Sequence, residues 1–107
     1  MKNLADIMKQ VSTMQARMGD MQKKLEGISV IGQSGGGLVR VTMNGKSTVQ
    51  TINIDPSLMK QDEREILEDL LVAALADAKL KAETLAAEEM KALTGGLPLP
   101  PGMTLPF

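Results

Sequence analysis

Lys2, Lys9, Arg17, Lys23 and Lys24 recur along the start of the chain, interleaved with the apolar series Leu4, Ile7, Val11, Met14, Met18, Met21 and Leu25. The apolar steps alternate between 3 and 4, an a/d heptad pattern. With Leu4 at position a, Lys2, Lys9 and Lys23 fall at f, and Arg17 and Lys24 at g. Asp6 and Asp20 fall at c. A basic stripe thus runs beside the apolar seam rather than within it. The chemistry open to such a stripe is ion pairing with a row of anions, phosphates above all. Lys79, Lys81 and Lys91, further along the chain, are the next candidates for the same work. A helix that merely solvates its back face has the same composition, so the stripe alone leaves both readings open.

Other chemistries find few residues to use. The chain has 107 residues with no His, Cys, Trp or Tyr and a single Phe. Without His it lacks the commonest general base and metal ligand. Without Cys it has neither a disulfide framework nor thiolate metal sites. Asp6, Asp20, Asp55 and Glu65 are each explicable as surface or capping groups, and no base–nucleophile pair is evident. The expectation is a protein that is not an enzyme, with no cofactor, metal or small-molecule substrate. No apolar run approaches the roughly 20 residues of a membrane span, so no membrane partner is expected. The net charge of −1 hides an asymmetry. Residues 1–46 carry seven basic and three acidic groups, and residues 47–107 carry five and ten. Such a split fits an anionic partner for the first half, and equally two ordinary solvated faces.

The elements that position these groups follow from periodicity. The heptad series predicts a helix over about Asn3–Glu26, capped by Asn3 and ended by Gly27. Three short β segments follow. "ISVI" (28–31) is β-branched, and "LVRVTM" (38–43) alternates with Val39, Val41 and Met43 on one face. In "STVQTINI" (47–54) the apolar phase slips between Val49 and Ile52, the mark of a bulge. Asn44-Gly45 predicts a two-residue type I′ hairpin. The stretch "GQSGGGLVRVTMNG" (32–45) has the glycine density of a phosphate-gripping loop, but its glycines lead into a strand and no Gly-Lys-Ser/Thr ending follows. It reads better as a flexible connection between the first two strands, with glycine supplying backbone angles other residues resist.

Asp55-Pro56 marks a turn with Pro56 at the first position of a short helix. Asp62 with Glu65 resembles a capping box, opening a helix from about Glu63 to Leu93. From Ile66 to Leu80 that helix is apolar almost all round, which predicts burial on more than one side and hence a partner subunit. From Lys81 onward it reads as mostly charged and solvated. The tail "TGGLPLPPGMTLPF" (94–107) favours an extended path. The fold class is α+β: a long N-terminal helix, a three-stranded antiparallel sheet, a long C-terminal helix and a Pro/Gly-rich tail. Residues 1–93 form one unit and 94–107 the tail.

This order, together with "GQSGGGLVRVTMNG", "IDPSL", "EILEDLLVAALADA" and "LPPGMTLPF", resembles the YbaB/EbfC family of bacterial nucleoid-associated proteins over nearly the whole chain. The resemblance implies a tweezer-like homodimer whose sheets join, double-stranded DNA as partner, a place in the cytoplasm on the nucleoid, and effects on nucleoid organisation and gene expression. It carries no short DNA-reading motif, so the candidate contacts are the basic residues above, with backbone and shape contact expected over base readout. The alternative is a dimeric coiled-coil module that binds protein rather than DNA.

Overall fold

The computed structural model of the chain describes residues 4–93. Helix α1 (Leu4–Gly27) leads into strands β1 (Ser29–Ser34), β2 (Val39–Asn44) and β3 (Val49–Ile54), and helix α2 (Arg64–Leu93) closes the order. The predicted fold class is the one observed. Asn3, Lys2 and the tail of residues 94–107 lie outside the described residues.

The sheet is an antiparallel meander, β1-β2-β3. Val39, Val41 and Met43 alternate onto one face, as expected, and that face is covered by Ala74 and Ala78 of α2, with Leu58 closing one end. Burying a Val or Leu side chain stabilises the fold by about 1.5–3 kcal/mol, so this row is the centre of the core. α2 lies over β1 and β2 and leaves the inner face of β3 open. Val49 is accordingly 42% and Ile52 46% exposed. The expected bulge is present: Met43 pairs with Val49 and Thr42 with Thr51, leaving Gln50 unpaired.

The buried side of α2 is a row of small residues every fourth position, Ala74, Ala78, Ala82 and Ala86, followed by Met90. That row brings the backbone of β1 against the helix. A Cβ on Gly32 would collide with the backbone of Ala74 and Ala78. β1 therefore continues through Gly32 to Ser34, beyond the end expected at Ile31. Gly32 is a packing site rather than a strand breaker. Side chains of α2 also secure the outer edge of β1. Asp77 Oδ2 accepts from the Gln33 backbone N–H at 3.0 Å, and Lys81 Nζ donates to the Ile31 carbonyl at 2.7 Å.

The expected flanking turns divide. Gly35, Gly36 and Gly37 all adopt positive φ and join β1 to β2 as a turn, as expected. The Asn44-Gly45 turn is not the predicted two-residue type I′. The left-handed residue is Ser47 (φ 65°), and the Asn44 side chain accepts from the backbone of Lys46 and Thr48. That is the pattern of a longer loop ending in a bulge. Gly45 is required for closeness instead: its N–H donates to the Leu25 carbonyl at 2.8 Å, and a Cβ there would lie 2.9 Å from the same oxygen. The turn at Asp55-Pro56 forms as predicted, with Pro56 opening a short 3-10 turn (Pro56–Leu58) and the Asp55 side chain accepting from the Ser57 N–H. The Asp62–Glu65 capping box does not form; Asp62 sits inside a 3-10 turn (Gln61–Glu63) that runs straight into α2.

α1 and α2 meet beyond the sheet, where Met21 and Leu25 pack on Ala86 and Met90. The stretch from Lys81 onward is therefore not simply solvated: its alanine face is buried while its charges point outward. The opposite, apolar face of α2 stays open in the single chain, with Val72 69% and Leu80 63% exposed.

Candidate nucleic-acid interface

The heptad seam orients α1. Met21 and Leu25 turn toward α2, so the f positions face away from it and the g positions border the contact. Lys9, Arg17, Lys23 and Lys24 are exposed along this basic flank. Their pairing separates them. Lys24 Nζ lies 3.0 Å from Glu89 of α2, whereas Lys9, Arg17 and Lys23 form no ion pair among the described residues.

The α2 candidates are placed differently. Lys79 pairs with Glu83 one turn on. Lys81 pairs with Asp77 at 3.1 Å while holding the Ile31 carbonyl, so its ammonium already serves β1. Lys91 is exposed in the last turn of α2. The structure therefore gathers the α1 candidates on one flank and sets Lys79 and Lys81 among carboxylates on another element.

Two carboxylates are tuned by local donors. The Gln33 N–H, then the Lys81 ammonium, hold the Asp77 carboxyl below its ordinary value. The Ser57 backbone N–H does the same for Asp55. Both are structural clamps, at the β1 edge and at a turn cap. Among the described residues no group of three or more acidic side chains is arranged to hold a metal, and no helix is long and apolar enough to cross a membrane.

Sequence reasoning passed over Arg40 and Lys46. Lys46 sits at the β2–β3 loop and pairs with Glu26 at 3.3 Å. Arg40 projects from the sheet face opposite Val39 and Val41, its guanidinium lying over the Gly37 turn. The alternation of residues 38–43 already placed Arg40 outward.

The body is α+β, with a basic flank along α1. The fold is shared with the crystal structure of an uncharacterized protein from Helicobacter pylori, at a TM-score of 0.72 and 23% identity, covering 89% of this chain and 96% of that one. Sequence relatives lie nearer. A nucleoid-associated protein of Granulibacter bethesdensis is 59% identical over the full length of both chains. One from Gluconacetobacter diazotrophicus is 52% identical, also over both full lengths. The profile of the YbaB/EbfC DNA-binding family matches residues 1–97. The chain belongs to that family.

Proposed function

We propose that the protein acts as a homodimer that binds double-stranded DNA mainly through phosphate contacts, and so shapes nucleoid organisation and gene expression. The observation that carries this reading is the basic flank of α1, where Lys9, Arg17 and Lys23 stand exposed with no ion pair among the described residues. Lys24, Lys2, Lys79, Lys81 and Lys91 are secondary contacts, Lys24 after release from Glu89. Phosphate contacts fix position without reading sequence, which suits a protein of the nucleoid.

Dimerisation is supported by the apolar surface one chain leaves open. Ile66, Val72 and Leu80 on α2 and Val49 and Ile52 on β3 are all exposed large hydrophobics. A chain that leaves this many large apolar side chains to solvent on two neighbouring elements has surface for a partner subunit to cover. The pairing unit is the α-β-β-β-α body of residues 1–93.

The test is a titration of duplex DNA at several salt concentrations with wild type and the Lys9→Gln/Arg17→Gln/Lys23→Gln variant. Gln keeps good helix propensity, so circular dichroism should be unchanged. Each lost phosphate contact lowers the slope of log affinity against log salt by about 0.9, and affinity should fall alike for unrelated sequences. Sedimentation equilibrium should give twice the chain mass. A folded triple variant with unchanged affinity and slope refutes the α1 site.

A second reading, a helical clamp for another protein, is favoured by the bare seam at the start of α1. Leu4 is 71%, Ile7 48% and Val11 52% exposed there. Salt-insensitive association with protein, and none with duplex, would select it.

A further inference from the structure

Among the described residues no helix covers the outward face of the sheet. α2 covers the other side, and α1 packs beyond the sheet on α2. Register places Gln33, Arg40 and Asn53 side by side in one cross-strand row. Ile31, Thr42 and Thr51 form the next. Among the described residues, none of the Arg40, Thr42, Thr51 or Asn53 side chains is engaged in a hydrogen bond or ion pair. The whole segment from Ile28 to Ile54 contains Arg40 and Lys46 and no Asp or Glu, in a chain with 13 acidic residues.

An antiparallel sheet commonly leaves one polar face to water, which accounts for polar side chains but not for the lack of carboxylates. Strand propensity does not account for it either, since strands disfavour Asn as well as Asp and Asn53 is present.

The geometry points to this face as a second DNA-contact surface, one that reaches base edges in the major groove. The inference rests on the DNA-binding reading above and adds to it the element that would read sequence. The side-chain types fit: Arg pairs with guanine O6 and N7, Asn and Gln with adenine N6 and N7, and the Thr methyl packs on the thymine methyl.

The dimensions fit as well. Strands are about 4.8 Å apart, and a major groove about 12 Å wide admits two adjacent strands, so neighbours such as Arg40 and Asn53 can enter it together. Successive rows on one face are about 7 Å apart along the strands, close to two base-pair steps of about 3.4 Å. Charge complementarity selects DNA as occupant, because the face offers a guanidinium and neutral donors and opposes no phosphate with a carboxylate.

The experiment is selection from a randomised duplex library with the full-length protein, followed by titration of the enriched duplex and a scrambled one at fixed salt. Wild type should enrich a sequence and prefer it by about 5- to 150-fold for each base pair read by a bidentate contact. Arg40→Ala should lower that ratio toward one. Because Arg40 also lies over the Gly37 turn, Asn53→Asp supplies a second variant, which keeps the Arg40 side chain and sets a carboxylate beside it. It preserves side-chain shape, adds a carboxylate to the face and should also collapse the ratio. Lys9→Gln/Arg17→Gln/Lys23→Gln should weaken both duplexes equally and keep the ratio.

Binding without any enriched sequence, or a preference untouched by both sheet variants, overturns the base-reading face while leaving the phosphate-contact reading intact. A wild-type protein that binds no duplex overturns both.

Discussion

Gly32→Ala is the sharpest test of the packing between sheet and helix. The added Cβ would fall on the Ala74 carbonyl and the Ala78 N–H, and 2.7 Å from Ala78 Cα. All three are helix backbone, so no side-chain rotation relieves the clash. Overpacking typically costs about 1–3 kcal/mol and occasionally more, and obstruction by backbone puts this site at or above about 3 kcal/mol. At about 4–8 °C per kcal/mol for a domain of this size, the melting temperature should fall by about 12–24 °C.

Two further glycines calibrate the result. At Gly45 the nearest neighbours are the Leu25 Cδ2 at 2.8 Å and its carbonyl at 2.9 Å; one of these is a flexible end, so Gly45→Ala should cost less, about 1–3 kcal/mol. Gly19 lies within α1 with nothing within 4 Å of a new Cβ, so Gly19→Ala should stabilise by about 0.5–1 kcal/mol through helix propensity. Urea unfolding followed by circular dichroism, at one fixed protein concentration because association shifts apparent stability, reads all three. The order of stability should be Gly19→Ala, wild type, Gly45→Ala, Gly32→Ala. A Gly32→Ala protein as stable as wild type refutes the close approach of α2 to β1.

Leu25, fully buried between α1 and α2, should cost about 2–5 kcal/mol when cut to Ala; a loss under 1 kcal/mol in denaturant midpoints would show that the interhelical contact is not a core. Asp77 has its folded-state pKa lowered by the Gln33 N–H and Lys81, so its contribution is present above the ordinary carboxylate range and is lost as pH falls below it. The stability gap between wild type and Asp77→Asn should therefore be widest near neutral pH and close in acid, and a gap constant with pH argues against the clamp. Glu89→Gln should release Lys24, raising duplex affinity at low salt and steepening the salt slope by up to about 0.9 per protomer, with little change in stability since the pair is exposed; unchanged binding would exclude Lys24 from the contact surface.

Much of this architecture was legible because its signals are local. The 3–4 spacing from Leu4 to Leu25 orients α1. The alternation of Val39, Val41 and Met43 sets the buried sheet face, and the phase slip between Val49 and Ile52 marks a bulge. What escaped depended on which element meets which. Gly32 looks like a breaker until Ala74 and Ala78 lie on it. Gly45 looks like a conformational choice until the Leu25 carbonyl lies against it. The alanines from Ala82 onward look solvated until α1 packs on them. The same division holds at the candidate interface. Register places the α1 cations on one flank from sequence alone. Only the fold shows Lys24 tied to Glu89 and Lys81 spent on the β1 edge, and only the sheet register aligns Gln33, Arg40 and Asn53.

The two borders of the sheet differ in how they end. Asp77 and Lys81 occupy the outward backbone groups at Gln33 and Ile31 on β1, while no described residue outside β2 bonds the backbone of β3. A sheet with two open borders can string copies into a fibre, the hazard every exposed edge strand carries. With one border already occupied, strand addition has a single vacancy, and a twofold pairing across it leaves no further vacancy to fill. The helix that builds the core thereby also sets a limit on growth, so that raising the concentration of this protein should not by itself turn edge pairing into a filament.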